Sequence, residues 1–260
     1  MNVLRVVGNA ARAGWADYTA VYTLRSWLLG WLLRVLCQVA FFTSVGRLVG
    51  AGASPAYLLV GNAVLIAAME SCMVVASTTW ERRAGTLPLL VASGTHPAAV
   101  FCGRSVHWVA TGTLTSLTSL AVIGLAVEPS LLGRGFLLAV PLVLLVAAST
   151  YCFALVLAAL VLRFMELRNV IGNLAYLGLM VLCGVQVPVG YWPPVLQHVA
   201  AALPLTHGLS AVRAALGEGQ VLRPAALEAV VGLCWLGLAV LAFRWLVDGG
   251  RRDGSIEFND

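Results

Sequence analysis

Six apolar runs, each about as long as a bilayer is thick, limit how this chain can fold. A helix of about 20 residues crosses the hydrocarbon core of a membrane. Apolar residues make up 60% of the chain and charged residues only 10%, and a soluble domain could not bury that much apolar surface. The sequence therefore predicts an all-α integral membrane protein with six transmembrane helices: Trp27–Val45, Tyr57–Ser77, Ser105–Val127, Phe136–Leu162, Val170–Val189 and Ala225–Val247.

A seventh apolar segment, Pro193–Leu216, is interrupted by Pro204. Because proline ends or kinks a helix, about ten residues remain on either side of it, too few to cross a bilayer. We therefore predict an external re-entrant helical pair before the last span.

The arginines predict the orientation, since cytoplasmic loops of membrane proteins carry an excess of positive charge. With the N-terminus inside, 11 of the 16 arginines lie in cytoplasmic segments and four lie outside, while Arg34 falls within the first span. An even number of spans then places both termini in the cytoplasm. We expect a multi-pass protein of the cell membrane.

The residues before the first span predict an amphipathic helix at the membrane surface. Their apolar and aromatic residues recur every three or four positions and include Trp15, Tyr18 and Tyr22, which favour the headgroup region. The expected organisation is a single transmembrane domain over residues 1–260, with an interfacial helix at 1–26, a six-span bundle at 27–247 and a cytoplasmic tail at 248–260.

The absence of lysine excludes several functions. All 16 basic residues are arginine, so the chain has no Walker A lysine and no lysine for a Schiff base. Any ATP hydrolysis must occur on another chain, and we expect no cofactor here. The net charge of +5 suits a membrane surface better than nucleic acid. The six cysteines lack C-x-x-C spacing, and His198 and His207 have no neighbouring acids for a metal site.

The loop between the second and third spans, residues 80–96, has an unusual composition for a cytoplasmic loop. It opens on charged residues and continues with an apolar patch that begins at Leu87. Apolar residues are exposed on a loop mainly where another surface covers them. The pattern therefore predicts a short segment that docks onto a soluble partner.

This loop and the re-entrant segment resemble those of a known family, the permease subunits of type 2 ABC exporters. The family's coupling loop is an acidic–basic cluster, then G-T-L and an apolar pair, and its external segment ends in P-L-T-x-x-L-x-x-x-R. Pro88 departs from the polar residue that many members carry. The matching residues are Glu81, Arg82, Arg83, Gly85, Thr86, Leu87, Leu89, Leu90 and Val91 in the loop, and Pro204, Leu205, Thr206, Leu209 and Arg213 outside.

The resemblance implies a mechanism and partners. Two permeases, either two copies of this chain or one copy with a related permease, would work with two ABC ATPase subunits that hold ATP and Mg²⁺. The coupling loop would contact the ATPase, and the first and fifth spans would surround the transport path. The cargo would be a hydrophobic or amphipathic molecule such as a drug or antibiotic, moved out of the cytoplasm or inner leaflet. Exporters of lipid-linked polysaccharide or lipid are the alternative.

Polar residues within the predicted spans are further candidates, because ionisable groups in a bilayer are costly and usually paired or functional. Glu70 lies in the second span and either forms a structural hydrogen bond or binds cargo or gates the path. Arg34 either reaches the cytoplasmic surface or pairs with Glu70. The third span carries a polar face that serves helix packing or lines the path: His107, Thr111, Thr115 and Thr118.

Two other classes of function have different requirements. An ion-gradient-driven secondary transporter would use Glu70 as its proton site. An intramembrane enzyme would need a catalytic set such as H-E-x-x-H or clustered aspartates at membrane depth, and neither pattern occurs.

Overall fold

The computed structural model describes residues 3–49, 55–83, 97–217 and 219–253, and over these ranges the chain forms helices and no strand. The all-α prediction is thus confirmed. The helices are α1 (Val3–Val21), α2 (Leu24–Ser26), a π-helical segment (Trp27–Leu32), α3 (Leu33–Val49), α4 (Pro55–Ser71), α5 (Val74–Arg83), α6 (Pro97–Ser105), α7 (His107–Val127), α8 (Arg134–Arg163), α9 (Arg168–Leu182), α10 (Pro194–Ala202), α11 (Thr206–Leu216) and α12 (Leu222–Asp253).

Five helical stretches in these ranges are long and apolar enough to cross a membrane. Each coincides with a predicted span and extends a few residues beyond it on at least one side, since helices continue into the headgroup region. The five are Leu24–Leu48, Pro55–Thr78, Ala98–Val127, Gly135–Arg163 and Leu222–Leu246.

The fifth predicted span, Val170–Val189, is shorter in the structure. Its helix α9 has 15 residues and so measures about 22 Å, less than the hydrocarbon thickness of about 30 Å. The chain leaves the helix at Gly184, whose φ of 80° lies in the left-handed region that glycine adopts without strain. The remaining predicted residues form a connection to α10.

The break at Pro204 lies where the sequence predicts it. Helices α10 and α11 are separated by three residues and bend by 84°, and the pair is either re-entrant or one broken span, which would raise the number of crossings to six. Leu205 at the bend has a φ of 87°, a strained value for a leucine.

Helix α4 forms the centre of the bundle. Every residue from Leu58 to Ser71 is buried, because α3, α7 and α8 pack around it. Small residues permit this close approach. A Cβ on Gly61 would come within 2.5 Å of the Val185 carbonyl oxygen, and one on Gly112 of α7 within 3.0 Å of the Ala67 carbonyl oxygen.

Helix α1 packs lengthwise against α6. A Cβ on Gly14 would overlap the backbone carbonyl of Arg104, and one on Gly103 would lie 2.6 Å from the Val7 carbonyl oxygen. The helices therefore touch backbone to backbone, and an Asp17–Arg104 ion pair of 2.5 Å joins them further along. Helix α1 corresponds to the predicted interfacial helix at 1–26 and ends at Val21. Its place at the membrane surface stays a prediction.

Candidate functional site: an intramembrane carboxylate and a capped short helix

Glu70 lies near the end of α4 with 1% of its surface exposed. A buried carboxylate needs hydrogen-bond donors, since its charge has lost contact with water. The donor is the indole nitrogen Nε1 of Trp31, 2.7 Å from Glu70 Oε1. This bond joins the first span to the central helix.

Trp31 reaches Glu70 from the π-helical segment Trp27–Leu32. A π-helical turn is wider than an α-helical one and commonly marks a functional position. Arg34, one turn further along, lies with its guanidinium carbon 4.7 Å from the centre of the Trp31 ring and Nη2 3.9 Å from Met69 Sδ. The Arg34 side chain is exposed, and in the described part of the chain it forms no ion pair with Glu70, whose direct partner is Trp31.

The predicted polar face of the third span divides into two parts. Thr111 and Thr115 are buried beside Gly112, where α7 packs against Glu70, but their hydroxyls donate within the helix, to the Trp108 carbonyl oxygen at 3.4 Å and the Thr111 carbonyl oxygen at 2.9 Å. Thr118 likewise donates to the Leu114 carbonyl oxygen at 2.8 Å. His107, at the start of α7, contacts the Arg104 carbonyl oxygen at 2.9 Å and packs against the rings of Tyr18 and Trp108. The hydroxyls of this face therefore serve the helix itself, and the two buried threonines lie on the side nearest Glu70.

The predicted coupling residues fall almost entirely outside the described part of the chain. The backbone of Glu81, Arg82 and Arg83 forms the last turn of α5, but their side chains are not described. The remaining loop residues also lie outside the described ranges: Gly85, Thr86, Leu87, Leu89, Leu90 and Val91.

A second buried carboxylate, Glu228 of α12, holds the bend between α10 and α11. It is fully buried, and its oxygens accept hydrogen bonds from the Leu205 N–H at 2.9 Å and the Gly208 N–H at 2.7 Å. The Ser149 hydroxyl of α8 donates to it as well. Glu228 thus caps the N-terminus of α11, where unpaired N–H groups and the helix dipole favour a negative charge.

Sequence reasoning missed Glu228 and Trp31. The signal for Glu228 was a single acidic residue in an apolar run, near the start of the last predicted span, and the same signal identified Glu70. The tryptophan carried no signal, because an indole in an apolar run is indistinguishable from a packing residue.

Arg213, the last residue of the external motif, joins three elements. Its guanidinium donates to the carbonyl oxygens of Gly184 at 2.9 Å and Tyr57 at 3.1 Å, and lies 3.4 Å from the centre of the Tyr57 ring. The Tyr57 hydroxyl donates to the same Gly184 oxygen at 2.7 Å. The arginine therefore ties α11 to the start of α4 and to the end of α9.

The other motif residues shape the bend. The Thr206 hydroxyl donates to the Ala200 carbonyl oxygen at 2.6 Å, Leu205 and Leu209 are fully buried, and the Pro204 carbonyl oxygen lies 3.5 Å from Cys183 Sγ. The described residues contain no group of three or more His, Cys, Asp or Glu side chains that could hold a metal ion.

We predict that Glu228 determines the stability of the re-entrant pair. Glu228→Gln should lower the free energy of unfolding by about 1–3 kcal/mol, because the NH₂ group of the amide would replace one of the two oxygens that accept from backbone N–H groups. Glu228→Ala removes both acceptors and should lower it further. Thermal unfolding of the purified protein in detergent measures this order, with Glu166→Gln, at an exposed acid, as the control. An alanine variant as stable as the wild type would contradict the capping role.

Comparison with known proteins agrees with the helical, membrane-spanning fold. Residues 17–216, from the last turns of α1 to the end of α11, match the family described as ABC-2 type transporter. A comparison with curated individual proteins gave no match. The matched region is well over half of the chain and includes Glu70, residues 80–96 and the re-entrant pair. The chain belongs to the ABC-2 type transporter family, the membrane components of ABC transporters.

Proposed function

We propose that this chain is the permease subunit of an ATP-driven exporter for hydrophobic or amphipathic molecules. Members of its family form the membrane part of ABC transporters that work with an ATPase. This chain has no lysine for a Walker A motif, so the nucleotide would be hydrolysed on a separate subunit. Two permeases, two copies or one with a related chain, and two ATPases make the transporter.

The observation that carries the proposal for the cargo is the apolar surface of the first and fifth predicted spans. The two meet where Gln38 Nε2 donates to the Tyr176 hydroxyl at 3.3 Å. Facing one another across a dimer, these spans would enclose a path suited to a drug-like or lipid-like molecule rather than a sugar polymer. Each leaves large apolar side chains exposed: Leu29, Leu33 and Phe41 on one, and Leu174, Leu177 and Val181 on the other.

The orientation follows from the arginine distribution. Both termini and residues 80–96 would face the cytoplasm, and the α10–α11 pair the outside of the cell membrane. ATP binding would draw the two ATPases together, and the loop would transmit that movement through α5 to the central helix α4. Export is the family's usual direction.

We predict that residues 80–96 contact the ATPase subunit. Replacing Leu89 and Leu90 with Asp should abolish co-purification of the ATPase or uncouple its hydrolysis from transport, because burial of two leucines contributes roughly 3–6 kcal/mol before the costs of association. Co-purification and ATPase assays measure the effect.

The matched control is Ser93→Asp with Thr95→Asp, which adds the same two charges to the same loop outside the apolar stretch. It should keep the ATPase bound. If the leucine double variant inserts into the membrane and still supports coupled transport, the loop is not the interface.

We also predict that Glu70 acts in transport. In Glu70→Gln the amide oxygen can still accept from Trp31, so the protein should assemble, but the side chain can no longer ionise or exchange a proton and the transport rate should change. Glu70→Ala leaves the partly buried indole N–H without its acceptor and should lower the free energy of unfolding by about 1–3 kcal/mol.

Transport and thermal unfolding are compared for both variants, with Glu128→Gln at the end of α7 as the control for loss of a carboxylate. An unaltered transport profile for Glu70→Gln would leave Glu70 with a structural role alone.

A further inference from the structure

A cavity of about 400 Å³ lies between α1, α5, α6 and α7. This volume falls in the range of about 300–1,000 Å³ found for small-molecule sites. Its lining is mostly apolar and aromatic, with Tyr18, Tyr22, Phe101 and Trp108 along the walls. Asp17 and Arg104 lie together on its lining and carry its charges.

The cavity lies next to the contact between α1 and α6. Gly14 and Gly103 bring the two backbones into contact, and the ion pair of Asp17 and Arg104 follows. Helix α6 ends at Ser105, and beyond it the Tyr18 ring of α1 packs against His107 and Trp108 at the start of α7.

These rings form one continuous aromatic wall. The centre of the Tyr18 ring lies 4.9 Å from that of Tyr22, 5.1 Å from that of His107 and 5.6 Å from that of Trp108. Burial raises the pKa of Tyr18 to about 12, so the phenol stays neutral. Aromatic faces attract cations, tryptophan most strongly.

The charged groups are more accessible than the wall. The Asp17 side chain is 64% exposed and that of Arg104 34% exposed. The Asp17 carboxylate and the Arg104 guanidinium therefore lie side by side at the exposed edge of the cavity, next to its aromatic rings and its apolar lining. The cavity also adjoins the beginning of the first span, which starts at Leu24, three residues after α1 ends.

We propose that this cavity binds the headgroup of a phosphatidylethanolamine molecule from the surrounding bilayer. The ammonium group would lie between the Asp17 carboxylate and the Trp108 ring, while Tyr18, stacked on Trp15 and Tyr22, backs the site, and the phosphate would lie toward the positive charge of Arg104. The apolar lining accommodates the glycerol region, and the acyl chains leave between the helices. A zwitterionic headgroup fits because its two charges complement the two charges at the cavity.

A lipid bound in this cavity would help to hold α1 in place. Among the described elements, α1 packs chiefly against α6 and touches α7 only lightly, so a molecule between α1, α5 and α7 adds to the contacts that hold it. The lipid would bridge the surface helix and α5, the helix that leads into residues 80–96.

Native mass spectrometry of the full-length chain, delipidated in detergent and then given phosphatidylethanolamine or phosphatidylglycerol with the same acyl chains, tests the site. We expect at least fivefold higher occupancy by the ethanolamine lipid. Ala20→Trp, on the cavity lining, should lower that occupancy at least fivefold, whereas Ala13→Trp, exposed on the same helix and away from the cavity, should keep it.

Asp17→Asn provides a second, mild variant at an exposed position. It removes the charge that selects the ammonium and should reduce the preference between the two lipids to less than twofold. Equal binding of both lipids by the wild type, detergent as the sole occupant, undiminished occupancy in Ala20→Trp, or equal losses in both tryptophan variants would overturn the proposal.

Discussion

A polar group inside a bilayer needs a hydrogen-bonding partner within the protein. In this bundle the hydrogen bonds of two buried carboxylates, Glu70 and Glu228, join helices that are distant in the sequence. Glu70 accepts from Trp31 of the first span and packs against α7 at Gly112. Glu228 accepts from α8 and from the start of α11. Each carboxylate thus lies where three segments of the chain meet, and α4 packs directly against α8.

Opposite charges stabilise the two ends of the short helix α11. The Glu228 carboxylate accepts from N–H groups at its beginning, and the Arg213 guanidinium, in its last turn, donates to carbonyl oxygens of neighbouring segments. A helix of 11 residues has little stability of its own, so these bonds and its buried face hold it within the bundle. The external motif of the family therefore has a structural explanation in this chain.

The sequence was sufficient for the features that depend on local composition. Apolar length predicts the spans, and Pro204 predicts the break between α10 and α11. Features that depend on distant partners were beyond it: the pairing of Glu70 with Trp31 rather than Arg34, and the cap formed by Glu228. The end of α9 before Gly184 has a local signal, the glycine itself, which the apolar run concealed. A single acid in an apolar run indicates that a partner exists but carries no information on which helix supplies it.

The central claim, that ATP hydrolysis on a partner drives export by this chain, is tested most directly by transport in inside-out membrane vesicles containing the chain and its ATPase. A hydrophobic fluorescent dye serves as the probe, with ATP present and the proton gradient collapsed by a protonophore. The account predicts that dye accumulates inside the vesicles despite the protonophore and that accumulation is lost with a hydrolysis-deficient ATPase subunit. Accumulation that the protonophore abolishes while ATP stays intact would contradict it and favour a secondary transporter.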